Sequence, residues 1–179
     1  MIELKTKYLD KLKTEQILAD FHTDKYGESD YGFVVDFNDK FLIIENFDNK
    51  GRYDGLIIFL RQDITRIRWS GNEVKSVSRL IDISKRQASK INIDLTSIQT
   101  ILQSVNKSYN HLTVYIQDVD KDVCFIGQIH EMDNDSIVIH EFGTKATLDR
   151  EYILLSIDDI TRIDADGQYE NSLRILFNQ

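Results

Sequence analysis

The chain of 179 residues contains one pentapeptide twice, first as Asp63-Ile64-Thr65-Arg66-Ile67 and again as Asp159-Ile160-Thr161-Arg162-Ile163. A glycine follows each copy at the same distance, at Gly71 and at Gly167. Self-similarity at a fixed spacing is the sequence signature of a repeated structural unit. The pentapeptides therefore indicate that the chain contains two copies of one unit.

A second match lies upstream of each pentapeptide and keeps the same order. Gly-Phe-Val-Val-Asp at residues 32–36 corresponds to Gly-Gln-Ile-His-Glu at residues 127–131, and Leu-Ile-Ile at residues 42–44 corresponds to Ile-Val-Ile at residues 137–139. These matches are 95 residues apart, whereas the pentapeptides are 96 apart, so one extra residue in a loop reconciles both. We interpret the pattern as an internal duplication.

Short apolar segments within each unit are rich in β-branched and aromatic residues and are separated by Asp, Asn, Gly and Lys, which is typical of consecutive strands. In the first unit they predict strands at 32–37, 41–47, 56–60 and 64–69, after a less distinct strand before residue 31. In the second unit they predict strands at 111–117, 123–132, 136–142, 152–157 and 160–164.

Helices are predicted at the ends of each unit. The sequence Thr96-Ser97-Ile98-Gln99 has the pattern of a capping box at a helix start. Apolar residues then recur at helical spacing, at positions 98, 101, 102, 105 and 109. Less regular apolar residues predict a helix within 9–21, and short helices are expected around 74–80 and 173–177.

The predicted fold is mainly β with flanking helices, built as two tandem five-stranded barrels that arise from the internal duplication. Residues 1–81 form the first unit with its N-terminal helix. Residues 82–110 form a connector and the helix that leads into the second unit, and residues 111–179 form that unit.

A helix followed by five short strands, with a glycine in the second strand, resembles the Sm family, including its bacterial host-factor members. The residues that carry the resemblance are Val114-Tyr115-Ile116, Gly127-Gln128-Ile129, Asp133 and residues 160–163, with Gly32, Asn38 and residues 64–67 in the first copy. The resemblance implies that the two barrels are of an Sm-like or SH3-like type. It also implies that barrels assemble by pairing the fourth strand of one with the fifth strand of the next.

The positions that hold a base in Sm proteins differ in both units. Leu42 and Ile137 stand where that family has an asparagine, and Leu60-Arg61 and Ser156-Ile157 stand where it has Arg-Gly. Aliphatic side chains cannot hydrogen-bond the edge of a base. Uridine recognition of the Sm type is therefore not expected, and the resemblance implies a fold rather than an activity.

The charge distribution favours a protein partner over a nucleic acid. The net charge is −8, and residues 111–179 carry 14 Asp and Glu against 5 Lys and Arg. Nucleic-acid binders present cations that displace phosphate counterions, so DNA binding is not expected and the acidic unit suits a basic protein. The short apolar runs and the charged N-terminus predict a cytoplasmic protein without a membrane span.

The candidate partner-contact residues are basic or aromatic. Arg66 and Arg162 are the symmetric candidates, because alternation along a strand predicts that Ile67 and Ile163 point inward and the arginines outward. Asp63 and Asp159 are expected to close turns. The other candidates are Arg61, Arg68, Trp69, Lys85, Arg86 and Lys90, which would also serve an RNA-binding adaptor.

No cofactor, metal or catalytic residue is predicted. His130-Glu131 and His140-Glu141 flank one hairpin without a third histidine to complete a metal site. Cys124 lies in an apolar run and is expected to be buried. The sequence predicts a non-enzymatic binding or assembly module that contacts proteins or itself, with the RNA-binding adaptor as the alternative.

Overall fold

The computed structural model describes residues 3–87 and 90–177, which form four α-helices and ten antiparallel strands. They divide into two compact units with the boundary between Ile91 and Asn92. The helix predicted for the connector therefore belongs to unit 2. The mainly β fold with flanking helices is confirmed.

Unit 1 contains α1 (Leu4–Thr14), β1 (Ala19–Thr23), β2 (Glu28–Phe37), β3 (Phe41–Phe47), β4 (Tyr53–Leu60), β5 (Arg66–Arg68) and α2 (Asn72–Leu80). Unit 2 contains α3 (Ile98–Tyr109), β6 (Leu112–Tyr115), β7 (Cys124–Met132), β8 (Ser136–Glu141), β9 (Tyr152–Ser156), β10 (Arg162–Ala165) and α4 (Gln168–Phe177).

The two units have the same strand order. It is β5-β1-β2-β3-β4 in unit 1 and β10-β6-β7-β8-β9 in unit 2, so the fifth strand of each unit returns to pair with the first. Among the described residues, no backbone ladder joins the fourth and fifth strands of the same unit. Each sheet is therefore open, and the predicted closure into a barrel is not observed.

Irregular backbone positions also repeat between the units. A bulge interrupts β2 between Val34 and Asp36, and another interrupts β7 between Ile129 and Glu131, 95 residues later. Bulges bend a strand and increase its twist. A non-glycine residue with positive φ precedes the second helix of each unit, Ser70 at 69° and Asp166 at 60°. The repeat in sequence is thus accompanied by a repeat in local conformation.

Gly32 and Gly127 lie where the backbone of the next strand comes close. A Cβ atom on Gly32 would lie 2.9 Å from the carbonyl oxygen of Glu45, and one on Gly127 would lie 2.3 Å from the carbonyl oxygen of His140. Both separations are too short for a side chain without movement of the neighbouring strand. Close packing of the second and third strands explains the glycine in each copy.

The core of unit 1 occupies both faces of its sheet. Leu9 and Leu12 of α1 pack with Val34 of β2 on one side. Phe33 packs with Val74 and Val77 of α2 on the other side. Successive residues of a strand point to opposite faces, so each helix covers a different face. All seven residues of β3 are consequently buried.

The corresponding strand of unit 2 is buried on one face only. In β8, Ile137 and Ile139 are fully buried, whereas Val138 and His140 are half-buried. Ile101, Leu102 and Val105 of α3 and Leu173 of α4 are likewise buried in unit 2. This single-sided pattern leaves the other face of β8 and β9 partly open.

Candidate interaction surfaces

Arg66 and Arg68 lie on the exposed surface of β5, but both are ion-paired within unit 1. Arg66 Nε lies 2.7 Å from Asp24 Oδ2, and Arg68 Nε lies 2.9 Å from Asp20 Oδ2. His22 Nε2 shares the Asp20 oxygen at 2.8 Å. Hydrogen bonds from Arg66 and Thr65 hold the pKa of Asp24 well below its usual range. The predicted contact arginines are therefore largely neutralised.

Arg162 does not point outward as predicted. Its side chain is 8% exposed, and its Nε and an Nη atom lie 2.7 and 2.8 Å from the two carboxylate oxygens of Asp164. The guanidinium also lies 4.9 Å from the centre of the Tyr115 ring. Burial raises the pKa of Asp164, and Arg162 opposes that change. The outward prediction is wrong because Asp164, where the first copy has Arg68, supplies a carboxylate on the same strand.

Arg61 is also buried, so little of its side chain is accessible to a partner. Its Nη2 atom lies 2.9 Å from Glu3 Oε2 and 2.5 Å from Thr6 Oγ1, and its Nη1 atom donates to the carbonyl of Asn38 at 3.0 Å. These contacts join the start of α1 to the β2–β3 turn. The guanidinium can be buried because it bonds to a carboxylate, a hydroxyl and a carbonyl.

Arg86 fixes the segment that follows α2 to the sheet of unit 1. Its guanidinium lies 3.8 Å from the centre of the Phe33 ring, and its Nε lies 2.8 Å from Oε2 of the fully buried Glu45. The backbone N–H of Gln87 donates to the other Glu45 oxygen at 2.5 Å. Lys85 and Lys90, the two remaining basic candidates of this segment, are exposed.

The outer face of the β8–β9 hairpin carries an exposed aromatic and apolar cluster. We call Val138, His140, Tyr152 and Leu154 the β8–β9 face, since the register pairs Val138 with Leu154 and His140 with Tyr152. The His140 and Tyr152 rings are stacked with centres 4.3 Å apart, and His130 lies edge-on to Tyr152 at 4.8 Å. Tyr152 is 60% exposed and Leu154 is 69% exposed.

The same face is covered in unit 1. The offset of 95 residues relates Val138 to Ile43 and His140 to Glu45, which are 1% and 0% exposed. Partial desolvation, Arg150 and His130 lower the pKa of His140. Sequence reasoning missed Tyr152 and Leu154, although an uninterrupted apolar run in β9 could have signalled a strand that is apolar on both faces.

Cys124 is exposed rather than buried as predicted. It is the first residue of β7, and the buried position of that strand is Gly127. An apolar run alone did not distinguish the covered face from the open one.

The His130 and His140 region contains no group of three or more metal-ligating side chains among residues 3–87 and 90–177.

Comparisons of the chain with models of protein families, with curated proteins and with solved structures find no match. Within the described ranges, no helix is long and apolar enough to cross a membrane.

Proposed function

We propose that the chain is a non-enzymatic binding module made of two Sm-like units, in which the β8–β9 face of unit 2 contacts a protein partner. The observation that carries the proposal is the exposure of Tyr152 and Leu154 side by side with His140 and Val138. An exposed apolar cluster bordered by polar residues is typical of a protein-binding surface.

Several features support an Sm-like architecture for each unit. A helix precedes five antiparallel strands, the fifth strand pairs with the first, and a bulge bends the long second strand. In the Sm family, assembly uses the fourth strand, and β9 is the fourth strand of unit 2 and an end strand of its sheet. Self-association is accordingly one form that the proposed interaction can take.

The charge around the face favours a basic partner. Glu131 and Glu151 are exposed near the hairpin, and Glu141 ends β8. Partial burial and the negative charge of Glu151 raise the pKa of Glu141, as expected where carboxylates are close together. A basic surface would reduce this repulsion, and its binding should weaken as salt screens the charges.

The RNA-binding alternative has less support from the geometry of unit 1. Arg66 and Arg68 form ion pairs with aspartates, and Arg61 is buried with Glu3. Release of phosphate counterions requires cations that are available to the nucleic acid. Lys85 and Lys90 keep exposed side chains, but they are only two charges in a chain of net charge −8.

Site-specific photo-crosslinking tests the proposal directly. A benzophenone amino acid at position 154 should crosslink a protein in intact cells, and the yield in cleared lysate should fall as salt is added. The same residue at position 4 is a matched control, because Leu4 is 68% exposed and Leu154 is 69% exposed. Adding the substitution Tyr152→Lys should remove the crosslink at position 154.

Each outcome of the crosslinking experiment has a defined meaning. A basic protein captured only at position 154 supports the proposal, and capture of a second copy of the chain identifies the interaction as self-association. Equal crosslinking at positions 4 and 154 would contradict the proposed face. Capture of RNA instead of protein would replace the proposal with the RNA-binding adaptor.

A further inference from the structure

Unit 1 contains an apolar cleft of about 610 Å³ between the α1–β1 loop, the end of β5 and α2. Its lining includes the aliphatic residues Ile17, Leu18, Val74 and Ile81, together with the aromatic residues Phe33 and Trp69. Sites for small molecules are typically concave, mainly apolar and about 300–1,000 Å³ in volume. The cleft has the size and lining of such a site.

The charged residues that line the cleft are all cationic. Lys11, Lys75 and Arg86 contribute to the lining, and no described aspartate or glutamate does so. Arg86 is neutralised by Glu45, whereas Lys11 and Lys75 form no ion pair within residues 3–87 and 90–177. Both lysine side chains are exposed, and their positive charge favours an anion over a cation at the cleft.

Trp69 contributes an aromatic side chain to the lining of the cleft. The residue is half-buried, and its ring centre lies 5.4 Å from that of Tyr8 on α1, so the indole is supported from within unit 1. The following residue, Ser70, also lines the cleft and has φ of 69°, which turns the chain from β5 into α2. Flat rings stack favourably on a tryptophan that is held in this way.

We propose that this cleft binds a small organic anion with a flat apolar body, the class represented by aromatic carboxylates. The ring system would lie against Trp69 and the aliphatic lining, and the carboxylate would accept hydrogen bonds from Lys11 and Lys75. The site lies in unit 1 and concerns a small ligand, so it is independent of the proposed protein contact of unit 2.

The single tryptophan of the chain makes the cleft directly observable, because Trp69 is the only source of an indole N–H signal. We expect 2-naphthoate to shift this signal saturably in two-dimensional NMR spectra of the full chain. The neutral analogue 2-naphthalenemethanol should bind at least tenfold more weakly. Acetate should give no saturable shift, and decanoate should bind more weakly than 2-naphthoate.

Two variants separate the cleft from general effects of charge. The double substitution Lys11→Glu and Lys75→Glu should weaken 2-naphthoate binding at least tenfold. Lys107→Glu with Lys121→Glu changes the net charge equally at exposed positions of unit 2 and should leave the affinity within twofold. Ser78→Phe places a ring in the cleft from the exposed side of α2 and should abolish binding without unfolding the chain.

The proposal has clear contrary results. It is overturned if 2-naphthoate gives no saturable shift, or if its affinity is unchanged in the double Lys11 and Lys75 variant while that variant keeps its melting temperature. Equal binding of 2-naphthalenemethanol would show that the ligand does not need a negative charge. Equal binding of decanoate would show that it does not need a flat ring.

Discussion

The ion pair between Arg86 and Glu45 links a residue outside the strands to the middle of β3. Glu45 is fully buried, and the side chain of Arg86 is 14% exposed. Removal of one member of a buried pair leaves an uncompensated charge, which costs about 3–5 kcal/mol. We expect Arg86→Ala to lower the free energy of unfolding by about 3 kcal/mol in urea denaturation.

Lys85 provides the matched control for Arg86. It is the preceding residue, and its side chain is 80% exposed in an ion pair with Asp82. Exposed pairs contribute about 0–1 kcal/mol, so Lys85→Ala should have little effect. The double variant Arg86→Met with Glu45→Gln should recover part of the loss, because no buried charge remains. Equal losses for Arg86→Ala and Lys85→Ala would contradict the assigned role.

Residue type alone could not predict which arginines are accessible. Arg61, Arg66 and Arg162 all lie in or near the repeated segment, yet only Arg66 is exposed. The difference arises from partners that are distant or unexpected in sequence: Glu3 is paired with Arg61 across 58 residues. Alternation in a strand predicts on which face of the sheet a side chain lies, but it does not predict which other residues cover that face.

The N-cap of α3 lies one residue later than the sequence pattern predicted. The capping-box pattern was assigned to Thr96, whereas the structure uses Ser97 as the N-cap and Thr100 as its reciprocal partner. Ser97 Oγ accepts from the backbone N–H of Thr100 at 3.1 Å, and Thr100 Oγ1 accepts from the N–H of Ser97 at 3.0 Å. The predicted capping residue is therefore wrong by one position.

Substitution at the cap distinguishes the two assignments. Loss of an N-cap side chain costs about 1 kcal/mol. We expect Ser97→Ala to lower the free energy of unfolding by about that amount, and Thr96→Ala to lower it less, as measured by urea denaturation of the full chain. A larger loss for Thr96→Ala would restore the original assignment.

Three strands were predicted closely because their signal is local. The segments β3, β7 and β8 were predicted within one residue at each end, since each begins directly after a turn rich in Asp and Asn. β1 was indistinct because all five of its residues are buried, including polar Asp20 and His22, so no alternation marks it. The apolar residues assigned to one N-terminal helix are divided between α1 and β1.

At the scale of the whole molecule, the duplication explains the order of elements but not the differences between the copies. The buried Val74 of α2 corresponds to Glu170 of α4, which is also buried and accepts a hydrogen bond from Thr113 Oγ1 at 2.7 Å. An apolar contact in one copy is thus a polar contact in the other. The β8–β9 face is another such difference, because it is exposed in the second copy and the corresponding residues of the first copy are buried.

The position of the unit boundary gives the last prediction. The sequence suggested that the second unit begins at residue 111, whereas the structure places the boundary before residue 92, so that α3 belongs to unit 2. Ile101, Leu102 and Val105 of α3 are each 0% exposed. Burial of such side chains contributes about 2 kcal/mol each, and a domain is stable by only about 5–15 kcal/mol.

A fragment of residues 111–179 should therefore lack cooperative unfolding, while a fragment of residues 92–179 should retain it. Thermal unfolding followed by circular dichroism would compare the two. In the longer fragment, Leu102→Asp should have the same effect as deletion of α3, because it introduces a charge at a fully buried position, whereas Lys107→Asp on the exposed side should not. Cooperative unfolding of the shorter fragment would show that α3 is only a connector, as its sequence first suggested.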